Sequence, residues 1–139
     1  MANTFTAQMA QFRDKTREQM KAVLQRSVQD VLEEALRSES LGGRLPVKTG
    51  FLRNSLVSEL NGTTSWPVTH PPKDGSAGGG SPHYLLTVAE MEPGDIARFA
   101  FTAAYAARME YGFVGEDSKG RTYNQQGRHF VEGAAAQWP

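Results

Sequence analysis

The stretch that decides the fold is "FTAQMAQFRDKTREQMKAVLQRSVQDVLEEALRS", residues 5–38. Its apolar residues recur at steps of three and four, the spacing of one stripe along an α-helix. They are Phe5, Met9, Phe12, Met20, Val23, Leu24, Val28, Val31, Leu32, Ala35 and Leu36. Charged residues fill most of the other face. The sequence therefore predicts a long N-terminal helix within residues 1–40.

The length of this helix carries a further expectation. About thirty residues at 1.5 Å each span ~50 Å, which exceeds the width of a compact domain of this size. We therefore expect part of the stripe, including Phe12 and Met20, to be buried against a partner. The alternative is a bend or break near Thr16, where the stripe weakens, with both halves packed internally.

Polar and glycine residues mark the ends of the helix. Thr4 or Thr6 is suited to cap its first turn, since a threonine hydroxyl can accept a hydrogen bond from a free backbone N–H group. Gly42 and Gly43 are expected to stop it, because glycine commonly follows a helix C-terminus.

The rest of the chain alternates short elements with polar loops. We first predict a short helical turn capped by Thr49, a strand over 56–60 and a projecting loop over 61–82. Two strands over 83–91 and 96–104 follow, joined by a turn at 92–95. The chain then continues with a helical segment over 105–112, a polar loop over 115–127 and a helix over 128–138. Phe99 and Phe101 should share one strand face. The 61–82 loop reads as a flexible insertion, and its Trp66 is a candidate partner contact that orders on docking.

These elements predict an α+β fold in a single domain, residues 1–139. Its parts are the long N-terminal helix, a small antiparallel β-sheet on which that helix packs, short helices and a long projecting loop of β-hairpin type.

Composition excludes several classes of protein. The chain has 15 lysine and arginine residues against 15 aspartate and glutamate residues, so no overall charge attracts it to nucleic acid. It has no cysteine, which removes disulfides and thiolate chemistry. The start of the chain lacks the pattern of a secretory signal, and no apolar run approaches the ~20 residues that span a bilayer. We expect a soluble protein with no membrane contact.

Catalytic patterns are weak throughout. The three histidines are far apart in sequence, and the glycines at 78–80 lack the lysine and hydroxyl residue of a phosphate-binding loop. His129 and Glu132 lie three apart on a predicted helix, so they could bind a metal ion or act as an acid-base pair, although a surface ion pair is the commoner role of such a pair. The sequence indicates no enzyme activity and no cofactor.

Three segments, taken in order, resemble the tail-completion and head-to-tail joining proteins of siphophages and related prophages. The family pattern is V-x-T-G-x-L-R-x-S, then Y-A-x-x-x-E-x-G, then a closing helix with an aromatic residue near its start. The matching positions are Val47, Thr49, Gly50, Leu52, Arg53 and Ser55; Tyr105, Ala106, Glu110 and Gly112; and Phe130 with Ala134. The chain departs from the family in the "RHF" before that aromatic position and in the long glycine-rich insertion.

The resemblance implies a structural protein of the virion neck or tail, assembled in the cytoplasm of a bacterial host. In that family the subunit forms a ring, usually a hexamer, between the head connector, adaptor or stopper proteins and the tail terminator or tail-tube proteins. Genomic DNA would pass through the ring without sequence-specific binding. Whether such a subunit joins the connector or terminates the tube stays open here.

The motif residues suggest packing roles. Thr49 would cap the short helix, Gly50 would let the backbone turn, and Leu52 and Tyr105 would cover the core, where each such side chain contributes ~1.5–3 kcal/mol. Arg53 and Glu110 are charges inside otherwise structural motifs. They could form an ion pair, within the subunit or across a ring interface, or be independent surface charges.

Two other functions remain open. One is a small nucleic-acid-binding or regulatory module that uses the basic part of the first helix, Arg13 to Lys21, although Asp14 and Glu18 interrupt that patch. The other is a metal-dependent hydrolase built on His129 and Glu132.

Overall fold

A computed structural model describes residues 4–62 and 84–138, and shows an α+β fold with two separate two-stranded antiparallel sheets in those ranges. The helices are α1 (Phe5–Leu36), α2 (Phe51–Asn54), α3 (Tyr84–Glu90), α4 (Ala106–Tyr111) and α5 (Phe130–Ala135), with a 3₁₀ turn at Glu39–Leu41. The strands are β1 (Leu56–Leu60), β2 (Ala97–Phe101), β3 (Gly112–Glu116) and β4 (Thr122–Gln126). Most of the projecting loop predicted over 61–82, from residue 63 onward and including Trp66, lies outside the described residues.

Helix α1 is unbroken over 32 residues and its buried residues all lie at or after Val28, so the alternative of a break near Thr16 with both halves packed internally is wrong. The Thr16 hydroxyl donates to the carbonyl of Phe12 within the unbroken helix, at 2.8 Å. Thr4 caps the start, because its hydroxyl accepts from the N–H of Ala7 at 3.2 Å. Within residues 4–62 and 84–138, no helix combines the length and the apolar character that crossing a membrane requires.

The end of α1 differs from the prediction. The helix stops at Leu36, before the glycine pair, and the chain doubles back so that Leu45 N–H donates to the Arg37 carbonyl at 3.2 Å. Leu45 is fully buried by this loop. A Cβ at Gly43 would stand 2.1 Å from the Arg37 carbonyl oxygen. Gly43 is therefore needed for the close return of the loop, and Gly42, at φ +83°, ends the 3₁₀ turn.

Strands β1 and β2 form the sheet that covers the core. Leu56 pairs with Phe101 and Leu60 with Ala97. The strand predictions at 56–60 and 96–104 are confirmed in position, and Phe99 and Phe101 both pack against the core as expected.

The segment 83–91 was predicted as a strand and is instead helix α3, so the hairpin predicted through residues 92–95 is wrong. The helix places Tyr84 and Val88 on one face, Met91 follows directly after its end, and all three contact the core. Leu85 and Leu86 stay exposed, so the apolar run is not a buried strand.

The predicted polar loop over 115–127 is wrong for most of its length, because β3 and β4 form a hairpin there. Asp117 holds its turn: one carboxylate oxygen accepts from the N–H groups of Lys119 and Arg121, each at 2.9 Å, and the other accepts from the Arg121 side chain at 2.7 Å. The pKa of Asp117 is lowered, and the largest cause is the hydrogen bond from the Arg121 N–H, which stabilises the ionised carboxylate.

This lowered pKa predicts a pH dependence for the hairpin. A carboxyl group with a depressed folded pKa contributes stability above its unfolded pKa, and loses that contribution as pH falls through the folded pKa. We expect Asp117→Asn to be less stable than the original protein near neutral pH, with the difference shrinking under acid conditions. Thermal unfolding of both proteins between pH 7 and pH 2 measures this, and a difference independent of pH would contradict it.

The core lies between the second half of α1, the β1–β2 sheet and the remaining helices. Its buried members are Val28, Leu32, Leu36, Leu45, Phe51, Leu52, Leu56, Val88, Met91, Ala103, Ala106 and Phe130. Helix α5, at 130–135 shorter than the predicted 128–138, packs on α1. Every buried residue of α1 lies at or after Val28, so its first half extends beyond the core.

Candidate functional site

The first two family-motif segments meet at one corner of the molecule. The ring centroids of Phe51 and Tyr105 are 6.3 Å apart. The Tyr105 hydroxyl also hydrogen-bonds with the backbone of Leu52, and burial raises the pKa of Tyr105 while this bond partly opposes the rise. Leu52 is buried beneath them. The predicted packing roles of Leu52 and Tyr105 agree with these contacts.

Thr49 has a different role from the one predicted. The N-cap residue of α2 is Gly50, in the left-handed conformation at φ +85°. Thr49 is exposed and its hydroxyl accepts from the N–H of Phe51 at 3.3 Å. The turn therefore depends on a glycine that adopts this conformation without strain, with Thr49 adding one local hydrogen bond.

Glu110 binds the start of helix α5. Its two carboxylate oxygens accept from the N–H groups of Val131, at 3.0 Å, and Glu132, at 2.8 Å. The N-cap residue of α5 is His129, whose side chain makes no capping hydrogen bond. A carboxylate from α4 thus does what an N-cap side chain normally does, which is to satisfy N–H groups that lack helical partners.

The backbone at Glu110 also hydrogen-bonds to the third motif segment. The N–H groups of Arg128 and His129 donate to the carbonyls of Met109 and Glu110, at 2.8 and 3.0 Å. A Cβ at Gly112 would lie 2.5 Å from the Gln125 carbonyl oxygen, so a side chain there would collide with the backbone. All three motif segments therefore join at this corner, which we call the motif corner: residues 49–55, 105–112 and 128–134.

Phe130 fills the interior of the motif corner. It is 2% exposed, and its ring meets Phe101 of β2 edge-on with centroids 5.1 Å apart. An edge-to-face aromatic pair of this kind adds about 0.5–1.5 kcal/mol beyond the burial of its area. The aromatic residue of the third motif is therefore a core residue.

The ion pair proposed between Arg53 and Glu110 does not form within the subunit. No ion pair of the described residues joins them, and the Glu110 carboxylate is bound to α5 instead. Glu110 is also only 6% exposed in the subunit. Arg53 is exposed and lies near Tyr84. Burial raises the pKa of Tyr84, and the positive charge of Arg53 partly opposes that rise.

The His129 and Glu132 pair predicted as a possible metal or acid-base site does form, with Nδ1 and Oε2 2.8 Å apart. Glu110 lies beside it, so ligand atoms of all three residues fall within 4.8 Å of one another. However, both Glu110 oxygens already accept backbone hydrogen bonds. The cluster is thus explained by the capping of α5.

The basic patch on α1 is partly neutralised. Arg13 pairs with Asp14 at 3.1 Å, and Lys21 pairs with Glu92 beside α3. The Lys21 ion pair and the Gln25 amide, which donates to the carbonyls of Ala89 and Met91, hold α1 to the body. Cations used in this way are less available to a phosphate backbone.

Helix α1 has two apolar faces where the sequence suggested one stripe. Phe5, Met9, Phe12, Met20 and Val23 are exposed, and we call these residues the outer stripe. A helix turns by about 100° per residue, which puts the centre of the outer stripe roughly 150° around the helix from the centre of the buried residues of α1. Phe12 and Met20, predicted to contact a partner, are 68% and 57% exposed.

An apolar groove of about 430 Å³ opens on the body of the molecule. Val31 and Ala35 of α1, Phe99 and Phe101 of β2, and Val131 of α5 are among its lining residues. Surfaces of this type on a small protein usually receive a ligand or another protein chain.

The described residues therefore present a packed motif corner, the outer stripe and the apolar groove as their distinctive features. No protein-family model, no curated protein and no solved structure matches the chain.

Proposed function

We propose that the chain is a structural subunit of a phage neck or tail-completion ring, which joins the head connector to the tail tube and lets DNA pass through its centre. The observation that carries this proposal is the outer stripe. A helix that extends beyond its own core with apolar side chains exposed is expected of a protein that buries them in an assembly.

The motif corner supports the same proposal. The residues that match the family pattern, among them Leu52, Tyr105, Glu110 and Phe130, pack or cap in one place and leave no group poised for chemistry. An assembly subunit requires a stable shape, and these contacts maintain one. The order of the three segments along the chain also follows the family pattern.

Charge is compatible with a DNA conduit. A protein with many unpaired cations on the wall of a channel would hold DNA through its phosphates, with an affinity that depends strongly on salt. This chain has a formal net charge of zero. A neutral ring would let DNA slide past.

The other two functions fit the contacts less well. For nucleic-acid binding, two cations of the patch at Arg13 to Lys21 are already paired: Arg13 with Asp14, and Lys21 with Glu92. For a metal hydrolase, the Glu110 carboxylate is committed to backbone N–H groups.

The test is the mass of the purified protein by native mass spectrometry or light scattering, alone and with head-connector and tail-tube proteins. We expect a discrete ring, of six chains in the family pattern, either alone or on addition of those proteins. A monomer that ignores them but changes mass with nucleic acid or a metal ion would contradict the proposal.

A further inference from the structure

We infer that strand β4 is a pairing site for a second copy of this chain. Two β4 strands join antiparallel across a two-fold axis and merge two hairpins into one four-stranded sheet. The inference goes beyond the proposed function, because a two-fold contact joins two subunits and does not by itself build a ring. It concerns the free protein and the outer edge of the β3–β4 hairpin.

Strand β4 lies at the edge of its sheet. The β3–β4 sheet has two strands, and β3 is the described element against which β4 mainly packs. An isolated two-stranded hairpin is at best marginally stable in water, and sheets of three or more strands are the more stable form. The hairpin therefore gains stability when another strand pairs with β4.

The free edge of β4 presents backbone hydrogen-bonding groups. The Asp117 N–H donates to the Arg121 carbonyl at 2.9 Å, which makes these two residues a hydrogen-bonded pair. Such pairs alternate along an antiparallel ladder, so the opposed residues Val114 and Asn124 are a pair whose backbone groups point away from each other. The N–H and C=O groups of Asn124 thus point outward, where another strand can bind them.

The side chains of β4 suit an identical strand. Thr122, Asn124 and Gln126 are exposed on one face, and no residue from 122 to 126 is charged. Antiparallel pairing centred on Asn124 places this residue opposite its own copy, and Thr122 opposite Gln126. An amide offers both donors and an acceptor, so the two Asn124 side chains can bond to each other. No like charges oppose this pairing.

The other described strands suit such a contact less well. Charged residues on an edge strand oppose pairing with another chain. Strand β1 contains Glu59, β2 contains Arg98 and β3 contains Glu116, so β4 alone among the described strands has no charged residue. Strand β3 also contains Gly112 and Gly115, and glycine weakens a strand.

Cysteine substitution tests the contact, because the chain has no cysteine of its own. Asn124→Cys places two thiols opposite each other across the two-fold axis, with Cα atoms about 5.5 Å apart, which a disulfide can join. Val114→Cys is the matched control, because Val114 is 78% exposed on the same face, one strand further in. Its two copies would lie three strand spacings apart, about 14 Å, too far for a disulfide.

We expect mild oxidation of the free protein to convert most of Asn124→Cys into a covalent dimer on a denaturing gel, and to leave Val114→Cys monomeric. Asn124→Lys should raise the dimer dissociation constant about fivefold, the upper end of the effect of like charges placed opposite each other in a sheet. Asn124→Thr, which is uncharged and suits a strand, should leave that constant near its original value. Analytical ultracentrifugation measures the constant, and circular dichroism checks that each variant folds.

Three results would overturn the inference. One is no covalent dimer from Asn124→Cys although its thiol reacts with a soluble alkylating reagent. Another is an equal yield of dimer from the two cysteine variants, which would show random collision. The third is an unchanged dissociation constant in Asn124→Lys. These measurements use the free protein, whereas the proposed function is tested with head and tail proteins present, so either can fail while the other stands.

Discussion

Replacing Glu110 with alanine is expected to lower the free energy of unfolding by about 2–4 kcal/mol. The change removes the only two acceptors that the structure gives to the N–H groups of Val131 and Glu132. Hydrogen bonds to a charged group contribute about 1.5–3 kcal/mol each, and loss of a helix cap alone costs about 0.5–2 kcal/mol. Urea unfolding followed by circular dichroism measures the effect.

Two matched variants separate capping from other roles of Glu110. Glu110→Gln keeps one amide oxygen as an acceptor and should recover part of the loss. Glu132→Ala removes an exposed carboxylate from the same helix and should cost no more than about 0.5 kcal/mol. If Glu110→Ala were as stable as Glu132→Ala, the capping role would be refuted.

Gly112→Ala is the second change with a large expected effect, at least about 3 kcal/mol. The backbone there has φ +87° and ψ 174°, a region open almost only to glycine, and forcing another residue into it costs of the order of 1–3 kcal/mol. The added Cβ would also meet Gln125 O at 2.5 Å and Gly127 N at 2.7 Å, both in the backbone. Backbone atoms cannot swing aside as a side-chain end can, so β4 must shift.

Gly42→Ala is the control for this prediction. Gly42 also has a positive φ, +83°, but a Cβ there would meet nothing within 4 Å. Its cost should be about 1 kcal/mol, from backbone conformation alone. Thermal melts of the two variants compare them directly, and equal losses would show that the close approach at Gly112 has no energetic consequence.

The α+β class and the long helix could be predicted because their signals are local. A periodicity sustained over more than thirty residues survives any reasonable tertiary context. The separation of that pattern into two faces was also present in the residue spacing. It was missed because steps of three and four allow a stripe to drift around the helix, from Phe12 on one side to Leu32 on another.

Helix α3 shows where local signals fail. Leu85, Leu86 and Val88 form a short apolar run that suits a strand as well as a helix. The contacts with α1 decide between them, because the Gln25 amide of α1 donates to the carbonyls of Ala89 and Met91 at the C-terminal end of α3. The spacing of Tyr84, Val88 and Met91 was the one sequence signal for a helix.

The role of Glu110 could not be predicted from residue types. An acidic residue in a structural motif suggests a cationic partner, and Arg53 was the motif cation available. The actual partners are backbone N–H groups some twenty residues further along the chain, which have no signature in the sequence. His129 gave a partial signal, since histidine is a poor N-cap and implies that another group caps α5.

The extension of α1 beyond the core makes one helix behave as two in local opening. Residues 24–36 are held by the core, so their amide hydrogens should exchange with solvent only when the whole subunit unfolds. Among the described residues, the side chains of residues 5–20 hydrogen-bond only locally, none of these residues is buried, and a helix of that length is marginally stable in water without packing. In a free subunit we expect them to fray and reform continually. Burial of the outer stripe in a ring would remove that fraying. Assembly would therefore slow the amide hydrogen exchange of residues 5–20 without changing their secondary structure.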